Sequence, residues 1–186
     1  MPTVKRAVAL LVLVTLSICV RADQTKPELD GLFRVLKQSG DLIKISMIQS
    51  QIWVHWYELP EEARALQITF DQGILALQLG QPKIAIEHFG RVIGDAPKFA
   101  EGWNRRATAY FMVGDFEASL RDIQQTLALE PRHFGALGGL SMILENTMQY
   151  DKAIQAEKLL LKLMPENGLI KERIQNLQTR ALESRI

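Results

Sequence analysis

Three histidines, His55, His88 and His133, are the side chains in this chain best suited to metal or proton chemistry. No two of them stand at a metal-ligand spacing. They read as partly exposed helix or turn residues, and only the stacking of distant segments could gather them into a His-based site. Glu61 and Glu62 are adjacent, which suits negative charge at a helix N-terminus better than an acid–base pair. "GALGG", residues 135–139, lacks the preceding strand and the Lys-Ser/Thr of a phosphate-cradling loop, and no G-x-S-x-G occurs. The sole cysteine, Cys19, falls in an N-terminal prefix. The expectation is a non-catalytic protein with no metal and no cofactor. A His-based metal protein or enzyme is the alternative that equilibrium dialysis would detect.

Two neighbouring arginines carry a different kind of chemistry. Arg106 lies between Trp103 and Tyr110, where a helix should present an apolar residue, and Asp122 lies in the helical pattern that follows. A partly buried arginine with its stem packed and its head on Asp122 accounts for that. Arg105 and Asn104 point off the Trp103–Ala107–Tyr110 face and are available to a partner.

The elements that position these residues recur on a fixed beat. Pro97, Pro131 and Pro165 end successive helical patterns 34 residues apart. In windows 66–99, 100–133 and 134–167, several columns fall in register. Gly80, Gly114 and Met148 sit at the turn between two helical patterns, and Pro82, Phe116 and Tyr150 follow it. Ala85, Ser119 and Ala153 are small; Phe89, Ile123 and Glu157 come one helical turn later; Gly73, Ala107 and Ser141 are small in the first helix. Small residues let two antiparallel helices approach, and glycine at the turn tolerates positive φ. The late proline stops each second helix from running into the next unit.

The middle window, "AEGWNRRATAYFMVGDFEASLRDIQQTLALEP", resembles a tetratricopeptide repeat (TPR), with Trp103, Ala107, Tyr110, Ser119, Ile123 and Pro131 at the family's positions. Arg106 replaces the family's leucine. The flanking windows depart further, with Thr69 and Leu137 in place of tryptophan and Glu157 in place of phenylalanine. The resemblance implies an all-α, right-handed superhelix of antiparallel helix pairs, with Trp103 and Tyr110 in the core of the middle pair. It implies a concave groove lined by the first helix of each repeat. By that geometry Phe70, Ile74 and Leu77, then Glu101, Asn104, Arg105 and Thr108, then Gly135, Gly138 and Met142 form a partner-binding groove. The alternative for Phe70, Ile74 and Leu77 is cover by the N-terminal helices. TPRs that grip a C-terminal carboxylate use several basic and amide side chains, and here Asn104 and Arg105 alone could serve. Gly135, Gly138 and Gly139 in one helix cost about 1 kcal/mol each relative to alanine. Close approach of a neighbouring helix or of a ligand backbone should offset that.

Residues outside the repeats complete the organisation. Lys5 and Arg6, an apolar run from Ala7 to Val20, and Val20-Arg21-Ala22 read as a signal peptide over residues 1–22. The run falls short of the ~20 residues of a membrane span. An uncleaved anchor is the alternative, and contact with a membrane follows only in that case. Lipidation at Cys19 would want a small preceding residue, and Ile18 stands there. The prefix holds three of the 22 basic residues and none of the 21 acidic ones, so the remainder carries an acidic excess of two and is a poor partner for nucleic acid. Residues 23–65 read as an N-terminal helical cap. Its first helix carries Leu29, Leu32, Phe33 and Leu36; its second, capped by Asp41, carries Ile45, Ile48, Ile52, Trp56 and Leu59. Residues 168–186 read as a C-terminal capping helix with Leu169, Ile170, Ile174 and Leu177 on one side. The functional expectation is an adaptor that binds a protein or peptide segment in an exported compartment, the periplasm of a Gram-negative bacterium. A membrane-anchored assembly factor facing that compartment is the alternative.

Overall fold

The three aligned turn positions all adopt positive φ: 67° at Gly80, 79° at Gly114 and 57° at Met148. Glycine enters that region freely, whereas methionine bears roughly 1–2 kcal/mol of strain there. These turns join the helices of each pair in a computed structural model that describes residues 27–185; the expected signal segment, residues 1–22, lies outside the described residues. Among the described residues the helices are α1 (Pro27–Gln38), α2 (Leu42–Tyr57), α3 (Gln67–Gln78), α4 (Pro82–Asp95) and α5 (Ala100–Met112). They continue with α6 (Phe116–Leu129), α7 (Phe134–Asn146), α8 (Tyr150–Leu163) and α9 (Gly168–Glu183), and a 3-10 segment, Glu61–Leu66, precedes α3. The described residues are all-helical, and none of these helices is long and apolar enough to cross a membrane.

The pairs α3/α4, α5/α6 and α7/α8 stack as a right-handed superhelix, and α9 closes the stack against α8. Pro97, Pro131 and Pro165 occupy the short turns between pairs. Side-chain caps start several helices: Asp41 accepts from the Ile43 and Lys44 amides at 2.8 and 3.1 Å, Asp115 from Ala118, and Asn167 from Leu169 and Ile170. Small residues set the helix separation. A Cβ added at Gly73 would lie 2.6 Å from the Phe89 ring, and the Ser119 hydroxyl donates to the Ala107 carbonyl at 2.8 Å.

Two expectations shift once the chain is folded, for Trp103 with Tyr110 and for Leu169, and the place of Glu157 becomes clear. Trp103 and Tyr110 are half-buried, not core, because the Arg106 guanidinium lies 5.1 and 5.7 Å from their ring centroids on its way to Asp122. Glu157, at the phenylalanine position of the last repeat, is buried; it accepts from Ser141 and from Arg173 Nε, each at 2.6 Å. Leu169 is exposed, while Ile170 and Leu177 of the same helix are buried.

The N-terminal hairpin, read from the sequence as a helical cap, does not stack in series ahead of the first pair. It folds back and lies over the first turns of the repeat helices. Asp30 and the Phe33 ring meet Arg132 in the turn before α7. Gln49 reaches the Met164 sulfur at 3.4 Å, and Tyr57, at the other end of α2, packs on Phe70 of α3. Helix α2 therefore runs against the order of the repeats, from the α8–α9 turn back to α3. One apolar cluster unites Leu29, Phe33, Leu36, Ile45, Ile48, Ile52 and Trp56 of the hairpin with Phe134, Leu137, Leu160, Met164 and Ile170. A hairpin this apolar, joined to α3 by a short link, covers the longest run of repeat surface it can reach.

Candidate functional site

Glu101 opens α5 and is wholly buried, which a lone carboxylate could not be without partners. Asn104 Nδ2 donates to it at 3.0 Å, Arg105 Nε donates to its other oxygen, and His133 Nε2 lies 2.8 Å away. The Ala136 amide donates to His133 Nδ1 at 3.1 Å, so Nδ1 is unprotonated and Nε2 carries the hydrogen given to Glu101. His133 thus caps α7 with one nitrogen and grips α5 with the other. Trp56 stacks on its ring at 4.1 Å and 11°, and Trp53 meets it edge-on.

Arg105 turns into the same cluster. Its guanidinium lies 5.0 Å from the Trp53 ring centroid and 4.9 Å from that of Tyr57, and it donates to the Tyr57 hydroxyl. Burial pushes the Tyr57 phenol above its ordinary range, against the pull of Arg105, so the phenol keeps its proton at neutral pH. Arg106, on the other side of α5, holds Asp122 with two bonds of 2.7 and 2.9 Å. The Asp122 bond holds the Arg106 guanidinium above its already high range.

The groove residues therefore divide. Phe70, Glu101 and Asn104 are buried, Arg105 is paired on both sides, and Gly135 lies under Trp53. That half of the concave face is filled by α2. Ile74, Leu77 and Gly138 are half-buried, and Thr108 and Met142 are exposed. Sequence patterning gave no sign of the Trp53–Trp56–Tyr57 contact with His133 and Arg105, although "WVHWY" places the three aromatics along one side of a helix. His133 is buried, not partly exposed; its place as a helix-capping residue after Pro131 was the available signal. No group of three His, Cys, Asp or Glu suited to a metal occurs among the described residues.

The open half deepens toward the C-terminus. A cleft of about 490 Å³ is lined by Gly138, Met142, Glu145, Asn146, Arg173 and Arg180, among others. Its charges are already matched: Arg173 bonds Glu145 at 2.7 Å as well as Glu157, and Arg180 bonds Glu145 and Tyr150.

The glycines give a direct test of this division. A Cβ at Gly135 would sit 2.6 Å from Trp53, whereas nothing lies within 4 Å of one at Gly138. Gly135→Ala is expected to cost about 1–3 kcal/mol through overpacking. Gly138→Ala should gain roughly 0.5–1 kcal/mol from the helix interior. Urea melts of the two variants measure the opposite signs.

The described residues form a stack of helix pairs with period 34, positive-φ turns and proline stops. The family model for the tetratricopeptide repeat matches residues 70–119 and 105–167. The chain belongs to the tetratricopeptide repeat family. A TPR repeat-containing protein of Rhizobium etli is 32% identical over 149 residues, covering 80% of this chain and 72% of that one. Among solved structures, the first TPR of Spaghetti (RPAP3) bound to the HSP90 peptide SRMEEVD superposes with a TM-score of 0.58 at 18% identity, over 61% of this chain and 90% of that one. The Sgt2 TPR domain from Aspergillus fumigatus does so with 0.59 at 18% identity, over 69% and 85%. Both share the TPR fold.

Proposed function

We propose that this chain is a non-catalytic adaptor that holds a protein or peptide segment in the half of its concave groove that α2 leaves open. The observation that carries the reading is the exposed pair Thr108 and Met142, beside half-buried Ile74 and Leu77, on a rigid floor of α3, α5 and α7. Helix α2 supplies a wall. At about 100° per residue, Trp56 faces the turn at His133 and Trp53 and Tyr57 face Arg105. Ser50, Met47 and Val54 follow further round and are exposed. Met142, with Met112 at the register position of the cleft residue Asn146, gives this channel a soft, adaptable apolar lining. Relatives of the fold take peptides, as the complex with SRMEEVD illustrates for that protein. An acidic peptide of that kind suits this groove poorly, since Arg105 is committed to Glu101 and Tyr57 and both cleft arginines are matched by carboxylates. An amphipathic segment presenting apolar side chains to the methionines suits it better.

The same proposal places the adaptor outside the cytoplasm, in a periplasm, on the strength of residues 1–22 and cleavage after Ala22. Intact mass of the exported protein should begin at Asp23; retention of residues 1–22 supports the membrane-anchored alternative. For the groove, Met142→Glu and Thr108→Arg should each weaken capture of a crosslinked partner at least tenfold while the thermal melt stays within about 0.5 kcal/mol of the parent, as surface changes do. Capture undiminished in both variants would remove the groove as the working surface.

A further inference from the structure

We infer that the front of the first repeat, α3 with the adjoining edge of α4, is a docking face for a second copy of this chain. The register of the repeats carries this. Ile68 is aligned with Gly102 and Ala136, and Leu75 with Ala109 and Ile143. In the second and third repeats these positions are the stacking interface. A Cβ at Gly102 would meet Ile93 and Val92 of α4 at 3.4 and 3.6 Å, Ala109 belongs to the Phe89–Val92 cluster, and Ile143 packs with Ile123 of α6. Ala109 and Ile143 are 0% exposed, and Ala136 is 1% exposed. In the first repeat the same positions hold larger apolar residues and face solvent, Ile68 at 72% and Leu75 at 53%. Leu79 and Ile84, both exposed, extend the patch.

A terminal repeat that ended the array would present polar residues there, as the opposite end does. On α9, Lys171, Gln175 and Gln178 stand at the register positions of Trp103, Ala107 and Tyr110, and all three are exposed. The hairpin that could have covered the front is committed to the groove. Among the described residues this stacking surface is unfilled, and it is continuous with an interface the chain forms twice within itself.

Lys171, Gln175 and Gln178, with exposed Leu182 one turn on, make the C-terminal end largely polar and a poor match for a head-to-tail stack, so the apolar front is matched by another front. A two-fold arrangement with the two α3 helices antiparallel is self-complementary: Ile68 of each copy faces Leu79 of the other, and the two Leu75 side chains flank the axis. The face is about 18 Å long and two helices wide. It buries an area near the low end for specific complexes, so the dimer should be reversible and concentration-dependent.

Sedimentation of the processed chain, residues 23–186, over roughly 1–200 µM, the range in which so small an interface would dissociate, tests this. The mass average should climb from the monomer value toward twice that value. Leu75→Glu and Ile68→Glu should each raise the dissociation constant at least tenfold with far-ultraviolet dichroism and melt unchanged. Met47→Glu, on α2, should leave association as it was. A chain that stays monomeric throughout, or associates equally with Leu75→Glu, overturns the inference. So does association lost with Met47→Glu instead, or a monomer whose melting temperature falls on Leu75→Glu, since the face would then be covered from within the chain.

Discussion

Trp56→Ala is expected to destabilise the protein by about 3–5 kcal/mol, the range for deleting a fully buried aromatic side chain. Trp56 is 0% exposed and bridges three parts of the chain: Phe33 of α1, the stacked ring of His133, and Phe134 of α7. Its loss opens a cavity in the cluster that fastens the hairpin to the repeats. Two consequences separate this from an ordinary core change. Amide exchange should accelerate first in α1 and α2, while α5 and α6 stay protected. Trp53→Ala in the same background should cost less than it does alone, because the two indoles share their partners. Urea melts and hydrogen exchange read both. A melt like the parent's would mean that the hairpin contributes nothing to the stack.

Glu101→Ala should cost about as much, roughly 3–5 kcal/mol, by a different mechanism: the partners of a buried charge are left without it. Arg105, Asn104 Nδ2 and the His133 N–H all converge on this one carboxylate. Glu101→Gln keeps an acceptor but loses the charge, so it should fall in between, near 1–3 kcal/mol. Adding Arg105→Met to Glu101→Ala should recover part of the loss, since no unpaired cation then remains among Trp53, Tyr57 and His133. Additive losses in the double variant would show that Arg105 does not depend on Glu101.

The architecture was legible because it is local. Proline stops, positive-φ turns and small-residue columns all report on neighbours within one helix pair, and the period repeats that report three times. The pairing of Arg106 with Asp122 was legible for the same reason, since the two lie in consecutive helices of one repeat. The groove was less so. Its lining was inferred from where the first helix of a TPR points. Thr108 and Met142 are exposed, whereas Phe70, Glu101 and Asn104 are buried and Gly135 lies under Trp53, because what covers that half comes from α2, far away in sequence. Arg105 illustrates the point. Read locally it is a groove charge free for a partner, and Arg105→Glu would spare the fold. In the structure it is tied to Glu101 and Tyr57, so that substitution should unfold the cluster as Arg106→Glu unfolds its own.

The hairpin carried a usable hint. Its second helix has an apolar stripe, Ile45–Ile48–Ile52–Trp56, and further large apolar or aromatic residues beside it at Trp53 and Tyr57, more than α1 alone can bury. A helix wet on one side would not need them. Gly135 is the complementary hint on the other partner: a glycine where a side chain would collide with Trp53. Neither signal names its partner, which is why the cover over the groove had to come from the fold.

Helix α2 lies in the concave groove over the first turns of α3, α5 and α7, and leaves the later turns open. Nuclear Overhauser contacts of the Trp53 indole test it most directly. Cross-peaks from the ring to the Gly135 α-protons and to His133 are predicted, with none to Ile68 or Leu75. Contacts from Trp53 to Ile68 and Leu75, with Gly135 silent, would instead place the hairpin in series at the front of the stack, with the groove uncovered.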